Sequence, residues 1–301
     1  MEIKKYGVID IGSNAIRLLI SNVVERNNEV NFNKSELVRV PIRLGQDVFT
    51  TGKISEYNIK RMVKAMESFK LLMQVYEVCK YTVCATSAMR EANNANEIVE
   101  IINQETGVFI DIISGEKEAK IIAASDLKQF IQKDSNYLYI DVGGGSTELT
   151  VFSHGKIVIS KSFPIGTVRL INQMVAEETW NEIQRWTIKY TSNMPNIQVI
   201  GSGGNINKIS KMATKSNKNF LSFPYLKNIY NELVTMAYEE RVSTLGLNPD
   251  RADVIVPAMN IYIKVMKWSR AKNIIVPKIG LSDGIVKMMY YNPKLLKINK
   301  L

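Results

Sequence analysis

Tyr6-Gly-Val-Ile-Asp-Ile-Gly12 opens the chain, and Tyr137-Leu-Tyr-Ile-Asp-Val-Gly143 repeats it 131 residues later. Each stretch is an apolar run ending in an Asp-x-Gly turn. Each turn leads into a second apolar stretch, Ile16–Ile20 in one copy and Leu149–Phe152 in the other. A repeat of this kind predicts two related units. Each starts with strand, Gly turn and strand, and each carries an Asp at the end of its first strand, Asp10 and Asp141.

The rest of the chain alternates strands and helices, which predicts an α/β architecture. Residues 6–11 and 16–24 read as strands, with a third near Leu37–Leu44. Ser55 reads as the N-cap of a long amphipathic helix whose Ile59, Met62, Val63, Met66, Phe69 and Met73 share a face. A strand at Tyr81–Ala85, a helix over 95–105 and a strand at Val108–Ile113 follow. Ser114 then opens a helix running to about Gln132. After the second copy, strands run to about Phe163 and a helix covers Thr167 to Thr191. Ile197–Ile200 is a strand leading into Gly201-Ser-Gly-Gly-Asn205. Ser222 and Pro224 start another helix, ended by Gly246 and Pro249. Asp250–Arg270 is helical, Asn273–Val276 a strand, and Ser282–Tyr291 the closing helix.

With 301 residues and 46% hydrophobic content, the chain can bury a core in each of two domains. The charged fraction of 23% and the absence of low-complexity tracts exclude a disordered chain. No apolar run reaches membrane-span length, and Asp10 and Arg17 interrupt the one early apolar stretch. Cys79 and Cys84 fit neither a CxxC motif nor a disulfide framework, so a cytoplasmic protein with reduced thiols is expected. The single histidine, His154, lies in a polar Phe-Ser-His-Gly-Lys turn and reads as solvated. One histidine excludes HExxH and His-cluster metal sites and disfavours a Ser-His-Asp triad. Chemistry must then run on carboxylates, backbone amides, Arg or Lys, and a hard metal ion.

The net charge of +10 is uneven. Residues 1–150 carry 18 basic and 20 acidic side chains, and residues 151–301 carry 21 and 9. A basic half suits an anionic partner, or simply solubility. No zinc-finger pattern, RNP pattern or dense basic block points to nucleic acid. Arg169, Lys208, Lys211, Lys215 and Lys218 could form a basic track.

Asp141-Val-Gly-Gly-Gly-Ser-Thr-Glu148 is the strongest local motif. Three glycines allow a tight turn whose N–H groups can approach a phosphate, and Ser146 and Thr147 add hydroxyls. A strand-like segment follows, so it is no Rossmann fingerprint, and no Gly-Lys-Ser/Thr closes a Walker A loop. Asp10-Ile-Gly-Ser-Asn14 repeats the design. Two such turns facing each other would hold a phosphate from both sides, with Asp10 and Asp141 sharing a magnesium ion largely through its waters. Gly201–Asn205 precedes a helix and could be an anion site or a structural turn. Glu116 and Glu118 sit in a helix first turn, where carboxylates also simply favour the dipole.

Six ordered segments resemble the exopolyphosphatase/guanosine pentaphosphate phosphatase family of the actin–Hsp70–sugar kinase superfamily. They are Asp10–Asn14 with Arg17-Leu18, Ala85–Arg90, Ser114–Ala119, Asp141–Glu148, Gly166–Leu170 and Gly201–Gly204. The resemblance implies two actin-like (ribonuclease H-like) α/β domains, residues 1–125 and 126–301, with an active-site cleft between them. About 286–301 would pack back on the first domain. It implies Glu118 as catalytic base, with Arg90 and Glu148 in the catalytic set. It also implies Asp10 and Asp141 at Mg2+ or another divalent cation. Gly12, Ser13, Asn14, Gly143, Gly144, Gly145, Ser146, Arg169, Gly203 and Gly204 would bind phosphate.

The implied reaction is release of terminal phosphate from inorganic polyphosphate or guanosine pentaphosphate, with a homodimer among the expected assemblies and no membrane or nucleic-acid partner. A superfamily kinase and a non-enzymatic actin-like nucleotide-binding module are the alternatives. Ala15 in place of a usual serine, and Lys117 in place of a usual acidic residue, depart from the family pattern. The chain also lacks the His/Asp-rich C-terminal region of longer members.

Overall fold

The structure is a computed structural model and describes residues 1–27, 29–123, 125, 130–213, 220–277 and 279–301. Its contacts divide the chain into one unit of Met1–Ser125 with Leu281–Leu301, and a second of Asp126–Gly280. Each has its own sheet.

The first unit contains β1 (Glu2–Ile11), β2 (Ile16–Arg26), β3 (Glu29–Val40), α1 (Leu44–Thr51), α2 (Glu56–Val75), β4 (Lys80–Ala85), α3 (Ser87–Glu91), α4 (Ala95–Thr106), β5 (Asp111–Ile112) and α5 (Gly115–Ala123). Strand order is β3-β2-β1-β4-β5, with β2 antiparallel to β1 and β3, and with β1, β4 and β5 parallel. β1 is central and buried continuously from Tyr6 to Ile11, which is why its apolar run does not alternate. The Ser55 hydroxyl accepts the Asn58 amide and caps α2, whose Met62, Met66, Phe69 and Met73 are fully buried. The closing helix Leu281–Tyr291 belongs to this unit, and a side chain at Gly284 would collide with the Ile121 backbone of α5.

The second unit contains β6 (Asn136–Val142), β7 (Thr147–Ser153), β8 (Lys156–Phe163), α6 (Thr167–Ile171), α7 (Glu177–Thr191), β9 (Gln198–Ser202), α8 (Gly204–Met212), β10 (Phe220–Ser222), α9 (Phe223–Thr235), α10 (Tyr238–Ser243), α11 (Pro249–Ala252), α12 (Ile255–Ser269) and β11 (Asn273–Ile275). Its order, β10-β11-β9-β6-β7-β8, places the second copy of the repeat where the first sits in its own sheet. β6 pairs antiparallel with β7 and parallel with β9, as β1 does with β2 and β4. In both sheets three antiparallel strands meet parallel ones at the first strand, with β10 adding an antiparallel edge to the second sheet, which is the ribonuclease H-like arrangement of actin-like domains. Leu138, Ile140, Leu149 and Val199 meet Ile255, Met259 and Tyr262 of α12 in the core.

Several element boundaries differ from those the sequence predicts. β3 ends at Val40, before Pro41, and Leu44 starts α1 instead of closing a strand. The strand expected over Val108–Ile113 shortens to β5, because the Asn299 side chain takes the Phe109 amide and carbonyl. α5 ends at Ala123; residues 124 and 126–129 of the helix expected to Gln132 lie outside the described residues, and 131–132 are irregular. Gln173, with φ 56°, lies between α6 and α7 in the helix expected over Thr167–Thr191. The helix expected from Ser222 divides at the extended Met236 and Ala237, and α11 and α12 are separate. β10 has no counterpart in the sequence reading. His154 lies in the exposed turn between β7 and β8, as expected. Among the described residues no helix is long and apolar enough to cross a membrane.

Candidate active site

Asp10 ends β1 and lies opposite Arg17 of β2, with Arg17 Nη1 at 3.3 Å from Asp10 Oδ2. Burial holds the Asp10 carboxyl above its ordinary value, against the pull of Arg17. The Gly12–Ala15 turn closes through the Gly12 amide to the Ala15 carbonyl. The Arg43 and Gly45 amides brace it by donating to the Asn14 and Ser13 carbonyls at 3.0 and 2.7 Å. Arg39, Arg17, Asp10, Cys84 and Asp111 follow one another in register across the sheet. Lys117 closes that row with Nζ at 2.8 Å from Asp111 Oδ2. The unexpected lysine beside Glu118 therefore compensates a carboxylate of its own unit. Burial first, then Asp111 and Asp10, pushes the Cys84 thiol up to about 12, so it is no nucleophile at neutral pH.

The two carboxylates of the α5 first turn part company. Glu116 is exposed and pairs with Lys120 at 2.7 Å, which lowers its pKa. Glu118 is buried, at 8% exposure, with Oε2 at 3.5 Å from Arg90 Nη1. Arg90 is held by donating 2.8 Å to the Ile113 carbonyl. Glu116 is the helix-dipole residue. Glu118 is a desolvated carboxylate oriented by a guanidinium, the form a general base takes.

In the second unit the glycine turn is locked from one side. The Gly143 carbonyl accepts from the Thr167 amide (3.0 Å), Gly144 from Val168 (2.8 Å), and Gly145 from Arg169 Nε (2.7 Å). Across a trans peptide the next N–H points opposite to the C=O. The amides of Gly144, Gly145 and Ser146 therefore face away from the Gly166–Arg169 segment, and none of them bonds to a described residue. Three consecutive N–H groups turned one way form an anion cradle. Gly166 permits this lock by close approach: a Cβ there would lie 2.6 Å from the Gly145 nitrogen and nearer still to the Gly144 carbonyl. Thr147 Oγ1 donates to the Ile165 carbonyl, so it braces the turn. Arg169 likewise meets the turn at a carbonyl.

Asp141 and Glu148 are direct cross-strand partners, as Asp10 and Arg17 are. The repeat thus has opposite signs: an ion pair in one unit, two carboxylates in the other. Like charges directly opposed across a strand pair are destabilising in themselves. Glu148 is buried and accepts from Ser162 at 2.8 Å. Gly203 caps α8 at φ 115°, where a Cβ would lie 3.0 Å from the Val142 carbonyl and 3.4 Å from Asp141 Oδ1. Gly204 follows, its carbonyl accepting from Arg251. Among the described residues no group of three or more His, Cys, Asp or Glu could hold a metal ion. Hard oxygen donors few in number suit Mg2+, which keeps several waters and binds through one or two carboxylates plus phosphates.

The structure thus brings Gly143–Ser146, Arg169, Asp141, Glu148 and Gly203–Gly204 together in one unit. In the other it brings Asp10 to Arg17, and Glu118 to Arg90. Lys208 and Lys211 lie on α8, half-buried and exposed, while Lys215 and Lys218 lie outside the described residues. Sequence reading missed Tyr139, Arg251 and Tyr262. Tyr139 had a local signal, standing two residues before Asp141 on the same strand face. Arg251 and Tyr262 had none.

The profile of the Ppx/GppA phosphatase family matches residues 23–292. The bifunctional 3-dehydroquinate synthase/phosphatase of Fusobacterium nucleatum is 30% identical over 292 residues, covering 89% of this chain and 44% of that protein. Exopolyphosphatase 1 of Mycobacterium tuberculosis is 25% identical over 174 residues, 58% of this chain and 50% of that protein. The chain therefore spans half or less of the length of these two curated relatives. An exopolyphosphatase structure from Cytophaga hutchinsonii superposes with a TM-score of 0.83 at 24% identity, covering 98% of this chain and 99% of that one.

Proposed function

The chain belongs to the Ppx/GppA phosphatase family, and from that premise we propose that it releases terminal phosphate from inorganic polyphosphate, with guanosine pentaphosphate as a second substrate. The amide cradle at Gly144–Ser146 is the observation that carries this reading, because phosphoryl transfer needs chiefly positioning and charge stabilisation. In this reading the cradle and the Gly203–Gly204 turn receive phosphoryl oxygens. Glu118, steadied by Arg90, takes a proton from water as the water oxygen bonds to phosphorus. The bridging P–O bond breaks and its electron pair leaves on the shortened chain. Asp141, with Glu148 opposite it, would hold Mg2+. When bound, that ion neutralises phosphoryl oxygens and the leaving group. Asp10, paired with Arg17 in its own unit, would be the second carboxylate at the ion.

Phosphate release from a panel of polyphosphates of graded length, guanosine pentaphosphate and ATP, with and without Mg2+, tests this. Mg2+-dependent release from polyphosphate is expected. No release from any phosphoanhydride, or transfer from ATP to a sugar acceptor instead, would overturn it.

A further inference from the structure

Beneath Asp141 lies a polar cluster that the reaction itself does not use. Tyr139 is buried at 1% exposure, and its hydroxyl donates to Asp141 Oδ2 at 3.3 Å. Ser202 Oγ lies at the same distance from Oδ2, but its single proton has a nearer acceptor, the Ile279 carbonyl at 2.9 Å. Tyr262, fully buried on α12, donates to the Ser202 carbonyl and reaches the Ile140 carbonyl at 3.5 Å. Of these two buried phenols, the Tyr139 hydroxyl goes to the Asp141 carboxylate and the Tyr262 hydroxyl to main-chain carbonyls. An aspartate's terminal torsion is broad, so its oxygens take a defined direction only when something ties them. A buried phenol needs an acceptor for its proton, and Asp141 supplies it, with the Ser202 side chain also at the Tyr139 hydroxyl.

We propose that Tyr139 is a positioning residue, its hydroxyl fixing the rotation of the Asp141 carboxylate toward the divalent cation. The inference rests on the reading of Asp141 as a cation holder. Hydrogen bonds behind a metal-ligating carboxylate orient the ligand, and their loss weakens metal binding. Tyr262, whose hydroxyl goes to main-chain carbonyls, has no such part.

Mn2+ is the probe, titrated by electron paramagnetic resonance against wild type and variants, with melting temperatures in parallel. Tyr139→Phe keeps the packed ring and is expected to weaken Mn2+ binding about 10- to 100-fold. Tyr262→Phe deletes an equally buried hydroxyl and should leave Mn2+ affinity within about twofold, whatever it does to stability. Ser202→Ala should cost no more than about threefold, since that proton is shared. Equal losses for Tyr139→Phe and Tyr262→Phe, no loss for Tyr139→Phe, or a Ser202→Ala loss as large as that of Asp141→Asn would each overturn the proposal. The Ser202→Ala comparison remains decisive even if Tyr139→Phe does not fold. Asp141→Asn separates the two levels. If it binds Mn2+ like wild type, the cation-holding role falls and this inference with it. If it loses binding while Tyr139→Phe does not, the positioning role alone falls.

Discussion

Gly166→Ala places one methyl group between two backbone segments. Gly166 has φ −151° and ψ 172°, extended backbone that alanine adopts freely. On conformational entropy alone the substitution would stabilise the protein by about 0.4–1 kcal/mol. Sterics decide otherwise. The new Cβ would lie 2.6 Å from the Gly145 nitrogen and nearer still to the Gly144 carbonyl, so the segments must part by at least about 0.8 Å to reach ordinary contact at 3.4 Å. That separation stretches the Val168–Gly144 hydrogen bond from 2.8 Å to about 3.6 Å, beyond useful length. The neighbouring bonds from Thr167 and Arg169 stretch with it. Losing two of the three costs about 2 kcal/mol and overpacking adds about 1 kcal/mol or more. The net destabilisation is about 2 kcal/mol, a melting-temperature fall of roughly 4–8 °C in a unit of this size. Displacing the cradle amides by nearly 1 Å should lower turnover about 100-fold. Thermal melting and phosphate release on the same preparation check both numbers. An alanine variant that melts higher than wild type and turns over normally would refute the carbonyl lock.

Glu118→Gln should lower turnover by about 10²–10⁴ while substrate affinity, measured by calorimetry, stays near wild type. Unchanged turnover would reduce Glu118 to a buried partner of Arg90. Because burial raises the Asp10 carboxyl above 3.8, the native state binds that proton more tightly than the unfolded chain. Its contribution is full below the ordinary value and lost as pH rises through the raised one. In metal-free buffer the melting temperature of wild type minus that of Asp10→Asn should therefore fall as pH rises above the ordinary carboxylate value of about 3.9, and a rising difference would contradict the buried-carboxylate account. Neutralising Lys208, Lys211 and Lys215 together should flatten the salt dependence of long-chain polyphosphate binding, while sparing short substrates. The slope should fall by somewhat under one log unit per log salt for each phosphate left without its lysine. Equal salt slopes for short and long chains in wild type would remove the basic track.

The two-unit architecture was legible in the chain because it rests on short-range rules. An apolar run ending in Asp-x-Gly makes a strand and a tight turn wherever it occurs, and its recurrence at Tyr137 set the number of units. The Ser55 cap and the Met62–Met73 stripe were legible for the same reason, since capping and burial periodicity act within a few residues. Helix breaks such as that at Gln173, and the shortening of β5 by Asn299, were not legible: a partner distant in sequence, or a backbone turn without a glycine to mark it, decides them. Asp10, Asp141 and the glycine turn could be picked out as residues, but not what each does. Whether Glu118 or Glu116 is desolvated depends on where Arg90 arrives. Whether the turn's amides face outward depends on Thr167, Val168 and Arg169 taking its carbonyls. Whether Asp141 is tied depends on the Tyr139 hydroxyl, two residues earlier on the same strand face, reaching its carboxylate once the strand is buried. Local sequence specifies backbone conformation and which face is apolar. Direction and pairing of polar groups are set only when separate segments pack, because a hydrogen bond tolerates a few tenths of an ångström that no local rule can fix.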